Sequence, residues 1–150
     1  MGIFLAPTVN MIHMQKEYHI WRQKSAGVLI GRWRGAVIKL VMLVRRKQGM
    51  DVQAFRDHYE NVHAPLAQSL FPSLRAYVRN YPESTLAGEA PAFDAITELW
   101  FDDEAGWQAS IAVAQSEQGK LLQADEESFM DRATVTAMLV KEHISEITSL

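Results

Sequence analysis

The sequence predicts an α+β domain in which a four-stranded antiparallel sheet carries its helices on one face. Three observations point there. Four short β-branched or aliphatic runs follow residue 36, and segments with apolar residues at three- and four-residue steps separate the first from the second and the third from the fourth. The second and third runs are joined by a loop alone, so the order is βαββα(α)β. The chain of 150 residues, 48% hydrophobic and 22% charged, has the size and mix of one folded domain with a single core.

The first strand is Val37 to Val44, ending in the polar turn Arg45-Arg46-Lys47-Gln48-Gly49. Asp51 is placed to cap a helix, because its carboxylate can accept from the free N–H groups of the first turn. Val52, Phe55, Tyr59, Val62 and Leu66 then mark one helical face. Pro65 disfavours helix at the residue before it and removes a donor, so a kink or restart is expected there, with the helix running on to about Leu70. Leu74 to Tyr81 is the second strand, residues 82–91 a loop, and Phe93 to Phe101 the third strand. Asp102 and Asp103 can cap a helix carrying Trp107 and Ile111, and Ser116 can cap a short one after it. Thr134 to about His143 is the fourth strand, with an apolar centre.

That topology leaves one sheet face without a helix, and an antiparallel strand with one wet face should alternate apolar and polar. The first strand does not alternate. The simplest cover for its second face is the same sheet of another copy, which predicts a homodimer closed about a two-fold axis.

Composition excludes several functions. There is no cysteine, hence no disulfide, thiolate nucleophile or Cys-ligated zinc, as suits a reducing cytoplasmic compartment. Residues 1–36 hold five basic side chains against Glu17, a charge of +4; subtracted from the chain's −3, this leaves −7 on residues 37–150. Such a domain is a poor partner for nucleic-acid phosphates. No run is long and apolar enough to span a bilayer, so no membrane partner is expected. Residues 1–36 are read as a mobile extension outside the domain, which covers 37–150; their basic composition also suits a transit peptide. Glycine-rich nucleotide motifs and the nucleophile elbow are missing.

Several segments resemble the EthD family, a group of dimeric α+β barrels with a ferredoxin-like fold. They are Ile38 to Lys47, the helix Phe55 to Ala67 with its His63-Ala64-Pro65-Leu66 element, Leu74 to Val78, Phe93 to Phe101 with Glu98-Leu99-Trp100-Phe101, Asp125 to Phe129, and Leu139 to His143. The resemblance covers more than two thirds of the chain. It implies a cofactor-independent protein, filed with oxidoreductases, that holds a small apolar, aromatic or cyclic compound of ether-degradation, polyketide or lactone type in a barrel cavity. A dehydratase or isomerase is equally compatible, as is a non-catalytic carrier serving an oxidase such as a cytochrome P450 system. His58-Tyr59 departs from the Tyr-Trp pair common in the family, which puts the pocket shape there in question.

His63 is the leading candidate for chemistry. Phe55, Tyr59 and His63 step by four along the sheet-facing row, and an imidazole at the end of that row can move protons near neutral pH. It can equally be a helix-end histidine bonded to a carbonyl. Glu98 shares a strand face with Ile96 and Trp100, opposite Ala95, Thr97, Leu99 and Phe101. It is a base if it lies in a pocket, or an ion-pair partner of Arg75 or Arg79; which face lines the cavity stays open. Tyr77 is a third catalytic candidate, a phenol able to orient a carbonyl or hydroxyl. Tyr59, Trp100, Met42 and His143 are candidate substrate contacts. No cofactor or metal is expected: His58 and His63 stand five apart, whereas paired helical ligands stand four apart.

Overall fold

The computed structural model describes residues 37–145. The extension over residues 1–36 lies outside the described residues. Strand β1 (Ile38–Val44) leads to α1 (Val52–His58), a π-turn (Tyr59–His63) and α2 (Ala64–Leu70). Strands β2 (Leu74–Asn80) and β3 (Ala95–Phe101) follow, then α3 (Glu104–Ala114), α4 (Glu117–Phe129) and β4 (Thr136–Val140). All pairings are antiparallel and the strand order is β2-β3-β1-β4, the ferredoxin-like arrangement. The predicted fold class is present.

Local chemistry explains the boundaries. Asp51 accepts from the backbone N–H of Gln53 and of Ala54, and Asp103 from that of Gly106, so both acids cap as their positions suggested. Ser116 stands at the start of α4 but makes no side-chain cap; its hydroxyl turns back to the Val113 carbonyl. The helix it opens has 13 residues rather than being short. The fourth strand is shorter than expected: a 3-10 turn over Arg132–Thr134 delays its start to Thr136, and it ends at Val140 rather than near His143.

The long first helix is not simply kinked at Pro65. The Ala64 N–H bonds to the Tyr59 carbonyl, five residues back, and this wider turn inserts a residue into the helical row. Phe55, Tyr59 and His63 are all buried, while Val62, expected on the same face, is 46% exposed. Beyond the insertion, Ala64 and Ala67 take up the buried positions.

Strand parity separates the helix-covered face of the sheet, which holds two core clusters, from the open one. Ile38 and Leu40 pack with Phe101, Trp107 and Ile111 under α3. Val44 and Ala95 pack with Phe55, Tyr59 and Phe129 under α1 and α4. The opposite face carries Lys39, Val41 and Leu43 of β1, whose partners on β3 are Trp100, Glu98 and Ile96. Among the described residues, no helix is long and apolar enough to cross a membrane.

Candidate functional site

Between the sheet and helices α3 and α4 lies a cavity of about 540 Å³. Its sheet-side wall is apolar, made of Leu40, Met42, Leu99 and Phe101, with Ala137 from β4. The polar groups come from the opposite wall and its edge: Ser110, Gln115, Gln123, Glu126 and Arg132. The cavity is therefore mainly apolar, with its hydrogen-bonding groups on the helix side, set among Trp107, Ile111, Ala114 and Leu122.

Glu126 is the acid in that wall. Leu122, Glu126 and Phe129 fall at i, i+4 and i+7 of α4, one face of the helix, so packing Leu122 and Phe129 inward carries the carboxylate inward too. Burial holds the Glu126 carboxyl above its usual value, against the opposing pull of Arg132, whose Nε donates to Oε2 at 2.9 Å. Arg132 also donates from Nη1 to Glu127 at 3.0 Å, which fixes its guanidinium at the cavity edge.

Beside this wall lies a string of buried hydroxyls. The Tyr59 and Thr97 hydroxyls are 2.7 Å apart, and Tyr77 hydrogen-bonds to Tyr59. Burial raises both phenols, Tyr77 well above its usual value, so both stay protonated at neutral pH. Both also feel the charge of Glu126.

His63 is only 4% exposed, and its Nδ1 lies 2.7 Å from Asp125 Oδ2. A carboxylate only accepts, so Nδ1 carries the proton and Nε2 is the basic nitrogen. Burial lowers the pKa of His63, outweighing the hydrogen bond and charge of Asp125, so the ring is neutral near pH 7. It packs edge-on against Tyr59 and tilted against Phe129, at 5.2 and 5.0 Å between centroids. The imidazole does not itself line the cavity. The other oxygen of Asp125 accepts from His58 Nε2 at 2.8 Å.

The remaining candidates divide by face. Met42 lines the cavity, and Tyr59 and Tyr77 lie on its side of the sheet. Glu98 and Trp100 lie on the opposite face, in a separate cluster: Trp100 Nε1 donates to Glu98 at 3.0 Å, and Lys39 stands 3.3 Å from that oxygen and also bonds to Glu142. Burial alone would lower Lys39; its hydrogen bonds to Glu142 and Glu98 outweigh this and raise it. The partner of Glu98 is thus Lys39, neither Arg75, which pairs with Asp102, nor Arg79, which pairs with Glu60. The structure therefore does not bring His63 and Glu98 together. His143 is exposed beyond β4. Among the described residues, no group of three or more His, Asp or Glu side chains could hold a metal ion.

Glu126, Arg132 and Asp125 are absent from the sequence candidates; Asp125 to Phe129 stands there only as one segment of the family resemblance. The signal that separates them is the Leu122, Glu126, Phe129 spacing, an acid on an otherwise apolar row.

An antiparallel ferredoxin-like sheet with a cavity under its helices defines a class of small α+β proteins, and sequence comparison narrows it. The EthD domain model matches residues 47–133, more than half of the chain, and the protein belongs to the EthD family. An ethyl tert-butyl ether D family protein of Bacillus halodurans is 29% identical, with a TM-score of 0.56 over 72% of this chain and 100% of that one. An Arabidopsis thaliana protein of 14% identity shares the fold with a TM-score of 0.55 over 73% and 99% of the two chains. An EthD-like protein of Ralstonia eutropha, 18% identical, does so at 0.51 over 71% and 89%. No curated protein matches the chain.

Proposed function

We propose that this EthD-family protein is a small cytoplasmic, cofactor-independent enzyme that moves a proton on an apolar, cyclic organic compound held in the cavity. The observation that carries the reading is Glu126: a carboxyl with a raised pKa lining a cavity whose facing wall is apolar. Glu126 is preferred to His63 as the transferring group because it lines the cavity, whereas His63 stands behind it.

In this scheme a ring compound lies against Leu40, Leu99 and Phe101 with its oxygen toward Arg132. Glu126 Oε takes a proton from the carbon between a carbonyl and a C=C bond; the C–H electron pair becomes a new C=C bond and the carbonyl π pair moves onto oxygen, giving a dienolate. The guanidinium of Arg132 stabilises that negative charge, and exclusion of water strengthens the interaction. Return of the proton from Glu126 to the far carbon of the dienolate, as the oxygen's electron pair re-forms the carbonyl, gives the conjugated isomer, with every atom and electron kept.

A screen of aromatic lactones and quinols against the chain and Glu126→Gln tests this. Gln keeps the shape but cannot take the proton, so turnover should fall by roughly 10²–10⁴-fold, the usual worth of general acid–base catalysis. Undiminished turnover in folded Glu126→Gln would sink the proposal. The apolar sheet wall equally suits a carrier. That reading predicts binding of a neutral aromatic probe such as N-phenyl-1-naphthylamine with no conversion of any compound in the screen.

A further inference from the structure

The π-turn solves a geometric problem that the sequence poses. His58 and His63 are five residues apart, and in a regular α-helix they would point about 140° away from each other. The wider turn over Tyr59–His63 brings both to one side, where they donate to the two oxygens of a single carboxylate, Asp125. Both rings also pack on Phe129, His58 stacked at 4.7 Å and His63 at 5.0 Å. Asp125 and Phe129 are four apart on α4, so the π-turned helix grips one face of α4 at two levels.

Glu126 is the next residue, turned about 100° from Asp125 around the helix axis. A grip on Asp125 and Phe129 therefore fixes the rotation of α4, and with it the direction of Glu126. We propose that Asp125, shared by His58 and His63, is a positioning residue that holds Glu126 in the cavity beside Arg132. The inference rests on the reading of Glu126 as the proton-transfer group.

The charged and titratable groups around Glu126 are few. Arg132 follows its helix, Asp125 and Glu127 are its helical neighbours, and Tyr59 and Tyr77 approach from the π-turn and β2. Asp125 also raises Glu126 directly through its charge. A test must separate that effect from positioning, and the second histidine makes this possible. Replacing His58 loosens the grip while leaving the charge of Asp125 in place.

The Glu126 carboxyl is followed by carbon-13 NMR on the glutamate-labelled full chain, in the parent, Asp125→Asn and His58→Gln proteins. In the parent it should titrate above the ordinary carboxylate value of 4.5. In both variants it should move down toward that value as α4 turns and Glu126 meets water. A downward shift in Asp125→Asn alone would mean a through-space charge effect and overturn the proposal, as would no shift in either. Should Asp125→Asn fail to fold, His58→Gln decides, since its ring is 24% exposed and it loses only one arm of the grip. A Glu126 that titrates ordinarily in the parent would instead overturn the proton-transfer reading itself.

Discussion

At the scale of single residues, burial decides the behaviour of the titratable groups. His63 is neutral in the fold because removing it from water costs more than Asp125 returns. Its folded pKa therefore lies below the unfolded value near 6.5, and the unfolded chain binds more protons. The stability it contributes is fully present above that unfolded value and is lost as pH falls through the folded one. His63→Gln should destabilise the protein at pH 7.5 by about 1–3 kcal/mol, the cost of disturbing a buried hydrogen bond. The gap between parent and variant should narrow on going from pH 7.5 to 5.5, read by urea denaturation at each pH. A gap that widens on acidification would mean that the protonated ring is the stabilised form. Glu126 has the opposite sign: its raised pKa stabilises at low pH and the effect is lost as pH rises through the folded value, so the variant comparison is needed to isolate His63.

Residue by residue, the sequence disclosed positions better than roles. The four-residue steps from Phe55 through Tyr59 to His63 describe a buried row, and all three are buried. The partner of His63 was not readable, because Asp125 is 62 residues away and belongs to another helix. Glu98 illustrates a second limit. Strand alternation placed it with Ile96 and Trp100 but could not say which face met the helices, since β3 has bulky apolar residues on both.

At the scale of elements, propensity and packing can oppose each other, and α4 provides a test. Gly119 stands in its first turn, where replacement by alanine would by intrinsic preference stabilise a helix by about 1 kcal/mol. A Cβ there, however, would meet the Ala114 carbonyl oxygen at 2.1 Å and the Val113 carbonyl oxygen at 2.7 Å. The end of α3 is backbone and cannot step aside as a side chain would. Gly119→Ala should therefore destabilise by about 1–3 kcal/mol, the range for overpacking. Because Gly119 also lines the cavity, probe binding should weaken with it. A rise in melting temperature would show that the α3–α4 junction is more compliant than its geometry implies. The π-turn shows why element boundaries were more legible than element interiors. Pro65 announced an irregularity, but a proline says only that a regular helix is disturbed, not that the disturbance is an added residue upstream. That added residue is what exposed Val62 and gathered His58 with His63.

At the scale of the whole molecule, the open sheet face decides how the protein assembles. Val41 is central in β1, paired with Glu98 on one side and Met138 on the other, and Val78 and Met138 on the flanking strands are 36% and 40% exposed. Lys39 on the same face is nearly buried within its cluster with Glu98, Trp100 and Glu142. Val78, Val41 and Met138 flank Glu98 in one row across this face, and Glu98 is paired within the chain by Lys39, so the face offers apolar area whose central charge is already neutralised. We expect two copies to meet through this face about a two-fold axis, sheet against sheet, leaving each cavity under its own helices. The solution mass should then be twice the 17.0 kDa of the chain. Val41→Asp tests the arrangement, because two-fold symmetry makes one substitution act twice, setting two new carboxylates in a water-poor interface. Sedimentation at micromolar concentration should show the variant shifted toward the single-chain mass, with the far-ultraviolet circular dichroism of the parent retained, since Val41 points away from the core that holds the helices. A parent chain that sediments as a monomer, or a Val41→Asp variant that stays fully dimeric, would overturn the sheet-to-sheet pairing.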